Sequence, residues 1–126
     1  MGALLFFRHA AAAMKGGGSV ITISSLTARI PGPGLSVYAT ARAGIDYAIK
    51  VAAIEYGDAG VRFNSVAAGL IQTDMTDAFF TMDSVLAGHL DATPCGRMGT
   101  LDDMAEAALF LADTQRSGFI NGQVLD

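Results

Sequence analysis

Residues 19–42, SVITISSLTARIPGPGLSVYATAR, constrain the fold more than any other part of this 126-residue chain. A β-branched run at 20–23 ends in two serines, Ser24 and Ser25. Pro31, Gly32, Pro33 and Gly34 then force a loop, because proline restricts φ and glycine frees it. A helix is predicted from Ser36, with Tyr38 in its first turn and Arg42 one turn later. Strand, loop and helix make half of a βαβ unit. Helix positions four apart share a face, so Tyr38 and Arg42 should be neighbours. A strand ending in Ser25 beside that helix would bring a hydroxyl, a phenol and a cation to one crevice.

The flanking sequence extends this pattern. Residues 2–14 (GALLFFRHAAAAM) predict a helix that is apolar nearly all round and needs contact on more than one side. Glycines 16–18 end it. They precede a strand, so they read as a turn; a phosphate-cradling loop would follow one. Residues 19–25 are a strand, 36–56 a long helix stopped by Gly57 and Gly60, and 61–67 a second strand. Gly44 inside the long helix costs about 1 kcal/mol against alanine, which close packing is expected to offset. Residues 70–94 lack clear periodicity and read as a mobile, partly helical flap. Thr100 and Asp103 have capping-box spacing ahead of a helix with apolar residues at helical intervals. Residues 119–125 (FINGQVL) read as a third strand. The expected fold is α/β: a partial doubly wound, Rossmann-like parallel sheet of three strands with flanking helices. Both outer sheet edges would be open in an isolated copy.

Composition narrows the function. With 52% hydrophobic and 16% charged residues, the chain suits buried faces or a surface hidden against a partner. A net charge of −4 and no basic stripe argue against nucleic acid. No apolar run approaches the roughly 18 residues of a membrane span. The apolar residues 3–7 are shorter than the about 7–15 residues of a signal-peptide core and lack a basic lead. Phe6 stands where myristoylation wants Ser or Thr. The N-terminus therefore reads as the start of a core helix. Cys95, the single cysteine, excludes an internal disulfide and cannot alone hold zinc. His9 and His89 have no partner at ligand spacing, so no metal is expected. A cytoplasmic compartment is the default.

Taken singly, Tyr38 reads as a surface phenol, Arg42 as a solvated helix charge and Thr73 as the cap of a flap helix. Tyr-x-x-x-basic alone is a common pattern. Here it stands thirteen positions after Ser25, with VAAGLIQTDM at 66–75, GRMGT at 96–100, FL at 110–111 and GFINGQ at 118–123. Together these motifs resemble the short-chain dehydrogenase/reductase family along essentially the whole chain. The resemblance implies hydride transfer between an alcohol and a ketone, dependent on NAD or NADP. It makes Tyr38 the acid/base and has Ser25 bond the substrate oxygen. It puts Arg42 where a cation favours the phenolate and holds the nicotinamide ribose. The stretch opening at Gly69 would meet the nicotinamide carboxamide through the Ile71 backbone and the Thr73 hydroxyl. The chemistry is coherent. A free phenol ionises near pH 10, and a neighbouring cation favours its anion, which suits proton transfer.

The departures carry as much information. The family has Lys at position 42 and usually Pro at 68, where this chain has Arg42 and Ala68. Arginine keeps the charge but does not release a proton. The sequence has no glycine-rich strand-to-helix turn and no residue placed to read the adenosine ribose. The family's catalytic Asn would lie just upstream of Met1. Residues 1–126 are therefore expected to be the C-terminal, catalytic portion of such a domain, without the dinucleotide-binding half. By itself this portion would bind little cofactor. The alternatives are a non-catalytic oligomerisation module and a decayed remnant. The resemblance further implies a small-molecule alcohol or ketone as substrate and a homo-oligomer built through helices 2–14 and 36–56.

Overall fold

The structure, a computed structural model, describes residues 1–14 and 16–126. Its frame is the parallel pair β1 (Gly18–Ser25) and β2 (Val61–Ala68), in register from Gly18 opposite Val61 to Ser25 opposite Ala68. The loops entering the two strands touch. Gly17 and Gly60 both have positive φ, at 107° and 76°, and a Cβ on Gly17 would stand 3.1 Å from the Gly60 carbonyl oxygen. Only glycine fits that crossing without strain. The short β3 (Val124–Leu125) pairs in parallel with β2 on its other side, giving the order β1-β2-β3.

Helices cover both faces of the sheet. α1 (Gly2–Ala13) and α2 (Ser36–Tyr56) pack on one. Phe7 from α1 and Ile49 and Ala52 from α2 meet Val20, Val61 and Phe63 of the strands, all buried. The Phe7 ring stands edge-on to Phe63 with centroids 5.4 Å apart, a favourable aromatic geometry. α5 (Leu101–Ala112) lies on the other face. There Ser19 Oγ, next to Val20 and so on the opposite side of the strand, donates to the Leu111 carbonyl at 3.0 Å. The Thr100–Asp103 capping box starts this helix as the spacing predicts. The expected α/β architecture is therefore the observed one, and the two long helices and first two strands match their predicted ranges within a residue.

Two expectations need correction. Residues 119–123 are not strand. Gly122 has φ of 77°, which breaks the extended backbone. Asparagine side chains replace part of the ladder: Asn121 Oδ1 accepts from the Phe63 N–H at 2.8 Å, and Asn64 Oδ1 accepts from the Gln123 N–H at 3.0 Å. The segment 70–94 is partly helical, as expected: it carries α3 (Asp77–Phe80) and α4 (Asp83–Ala92), and none of its residues is buried. Gly44 is not closely packed: no heavy atom stands within 4 Å of the position its Cβ would take. A further feature was not anticipated. Arg62 in β2 is only 6% exposed. Its guanidinium donates to the carbonyls of Ser117 and Ile120 at 3.1 and 3.2 Å and reaches that of Ala112 at 3.4 Å. It thus serves carbonyls left over where α5 and α6 (Thr114–Ser117) end, the negative ends of those helices.

Candidate active site

The C-terminal ends of β1 and β2 form one rim, the position where open α/β sheets hold their ligands. Ser25 ends β1. Its Oγ accepts from the Thr27 N–H at 3.3 Å and the Thr27 hydroxyl at 3.0 Å. The serine's own proton stays free to be donated to a third group. Opposite, Ala68 leads into Gly69, where a Cβ would press to 3.3 Å from Leu26 of the turn that follows Ser25.

Tyr38 lies in the first turn of α2 and is 41% exposed. The Arg42 guanidinium sits 5.0 Å from the centroid of its ring, a cation–π contact one helical turn long. Arg42 Nη1 also donates to the Ile23 carbonyl at 2.8 Å. That bond ties α2 to β1 two residues before Ser25. One of five guanidinium donors is so engaged. The helix spacing therefore brings Tyr38 and Arg42 together, and the strand brings Arg42 to the segment that bears Ser25.

The other predicted positions lie further along the rim. Ile71 forms an isolated parallel bridge with Gly99, and its carbonyl accepts from the Thr76 hydroxyl. The Thr73 N–H donates to Thr76 Oγ1 at 2.9 Å, and the two threonine hydroxyls lie 3.1 Å apart. The Ile71 carbonyl and the Thr73 amide are thus engaged within their own turn.

A cleft of about 270 Å³ takes in Gly69 and Ile71 with Cys95, Arg97 and Asp103, but not Ser25, Tyr38, Arg42 or Thr73. The physical reason is that β1 is the edge strand, so no neighbouring strand among the described residues walls its outer side. In the cleft, Arg97 donates to both oxygens of Asp103 at 2.7 and 2.9 Å. These bonds, with the Thr100 backbone and hydroxyl donors, hold the Asp103 carboxyl well below the usual carboxylate range. Asp103 in turn raises the Arg97 guanidinium.

Sequence reasoning missed two residues near the site. Asp46 lies one turn beyond Arg42 on α2 and is buried, and Arg29 faces it. The available signal was a charge set among Ile45, Ile49 and Ala52 on the buried side of α2.

No described helix is long and apolar enough to cross a membrane. A family model described as Enoyl-(Acyl carrier protein) reductase matches residues 1–126. The chain is 42% identical over 108 residues to 3-oxoacyl-[acyl-carrier-protein] reductase FabG of Chlamydia muridarum, covering 86% of this chain and 42% of that protein. Among solved structures, a short-chain type dehydrogenase/reductase from Mycobacterium ulcerans superposes with a TM-score of 0.94 at 33% identity, covering 98% of this chain and 46% of that one. A putative NAD(P) dependent gluconate 5-dehydrogenase from Beutenbergia cavernae, with bound NADP, gives 0.91 at 30% identity, with coverage of 98% and 50%. The chain thus spans about half the length of these relatives or less, and it belongs to the short-chain dehydrogenase/reductase family of oxidoreductases.

Proposed function

We propose that residues 1–126 are the C-terminal, catalytic portion of an NAD(P)-dependent oxidoreductase that interconverts a small alcohol and a ketone, with Tyr38 as proton donor and acceptor. The observation that carries this is the Arg42 guanidinium, stacked on the Tyr38 ring and bonded to the strand that ends in Ser25. Ser25, with its oxygen already accepting from Thr27, gives its proton to a hydrogen bond on the substrate oxygen. Tyr38 delivers a proton to that oxygen as the ketone is reduced and removes one in the reverse direction. The nicotinamide, when bound, supplies or takes up the hydride.

The residues on the rim fit the nicotinamide end of such a cofactor. Gly69 keeps its turn flush against Leu26, and Arg42 retains donors for ribose hydroxyls. Thr73 offers its hydroxyl, shared with Thr76, to the carboxamide, beside the Ile71 backbone. A relative with bound NADP supports this class of cofactor. The exposed free thiol of Cys95 is in keeping with a reducing, cytoplasmic setting.

The test is NADH- or NADPH-dependent reduction of a ketone panel, including 3-oxoacyl thioesters and keto-sugar acids, by the full protein. Tyr38→Phe should lower kcat by at least about 10²-fold, and Arg42→Lys should raise it. Turnover that survives Tyr38→Phe within a few-fold would remove the phenol from the mechanism. A second reading, an interaction module, is favoured by one observation. Leu4 and Phe6 on α1 and Tyr47 and Ile54 on α2 are exposed. We assign these faces to contact with a second copy of the chain.

A further inference from the structure

Tyr38, Arg42 and Asp46 follow one another at four-residue intervals on α2, so they share one line along the helix. Unlike Tyr38, Asp46 is buried, at 7% exposure. A carboxylate in such a place is costly unless donors and an opposite charge meet it. Ser65 Oγ of β2 lies 3.3 Å from Asp46 Oδ1 and 3.2 Å from the Thr22 carbonyl of β1, so its single proton is shared between an acceptor on α2 and one on β1. Arg29 Nη2 stands 3.8 Å from Oδ2, an oxygen with no hydrogen-bond partner among the described residues.

Arg29 closes the 3-10 turn, Leu26–Ala28, that follows Ser25 directly. Its backbone N–H and that of Ile30 both donate to the Leu26 carbonyl at 2.9 Å. The other arm of its guanidinium pairs with Asp126, just past β3. A planar fork can serve two carboxylates at once, which a lysine ammonium does less well. Between this turn and α2 the backbone runs only through the Pro/Gly loop at 31–34, in which Gly34 has φ of 78°. That loop leaves the spacing of Ser25 and Tyr38 to side-chain contacts.

We propose that Asp46 is a positioning residue: through Arg29 it holds the turn after Ser25 against the helix that carries Tyr38 and Arg42. This rests on the reading that Ser25 and Tyr38 perform the chemistry, but its structural half is testable without turnover. Amide hydrogen exchange of the 126-residue chain is the measurement. In Asp46→Asn the Arg29 and Ile30 amides should exchange roughly tenfold faster, while those of Phe63 and Ser65 in β2 keep their protection. Asp46→Glu should restore most of the lost protection at the two turn amides. If Asp46→Asn does not fold, Arg29→Gln probes the same link from its exposed end and should free the same two amides. Unchanged exchange there in a folded variant, or a uniform increase across the sheet, would overturn the proposal. In the active protein, Asp46→Asn should lower kcat about tenfold through misplacement of the reacting groups, with the cofactor KM held. An equal loss in both parameters would reduce Asp46 to a packing role. A parent protein without turnover would instead remove the reading of the site and leave the exchange result standing.

Discussion

Asp103 shows how a single surface residue can be tuned by purely local geometry. It accepts from Arg97, from the Thr100 amide at 2.8 Å and from the Thr100 hydroxyl at 2.9 Å, all of which favour its ionised form. Its folded value is therefore depressed. A depressed carboxylate contributes stability that is fully present above its unfolded value of about 3.9 and is lost as pH falls through the folded one. The start of α5 should accordingly hold at neutral pH and fray in acid. The carboxyl resonance of Asp103 should titrate below the ordinary aspartate range, and Arg97→Ala should move the midpoint up. An ordinary midpoint in the parent chain would contradict the pairing. At this scale the sequence is informative wherever partners are close in the chain. Thr100 and Asp103 are three apart, Tyr38 and Arg42 four apart, and both pairs were legible. The bond from Arg42 to the Ile23 carbonyl joins residues nineteen apart and was not.

At the scale of elements, the third strand is the instructive case. Its sequence, FINGQVL, has the composition of a strand, yet only Val124–Leu125 pair as one. Asn64, fully buried, gives its amide to the Ile120 carbonyl at 3.0 Å and takes the Gln123 N–H, so a side chain stands in for ladder bonds. Asn64→Leu would keep the volume but take the acceptor from the Gln123 N–H and one of two donors from the Ile120 carbonyl, which keeps Arg62. It should destabilise the chain by about 1–3 kcal/mol, the cost of one unmet group. Urea unfolding would measure this, and a loss below 1 kcal/mol, roughly the worth of one ordinary hydrogen bond, would show that these bonds carry little. Strand propensity reports backbone preference and cannot register a competing side chain fifty or more residues away. Arg62 makes the same point, since a charged residue inside a central strand reads as a fault until the helix-end carbonyls it serves are in place.

For the whole molecule, the distribution of apolar surface matters more than any one contact. The inner faces of α1 and α2 are buried on the sheet, while Leu4, Phe6, Tyr47 and Ile54 are exposed, the last at 83%. Such surface is what oligomers cover. Sedimentation should show concentration-dependent self-association, and the double variant Tyr47→Asp, Ile54→Asp should abolish it. A monomer at every concentration would remove the proposed contact. Local sequence alone determined the three main helices, the first two strands, the capping box and the pairing of Tyr38 with Arg42, because each depends on periodicity or on residues a few positions apart. Which faces are covered, why the last strand is short, where the cleft opens, and that Arg29 comes to face Asp46 were decided by tertiary structure. Those features come from contacts between distant segments, and no local propensity encodes them.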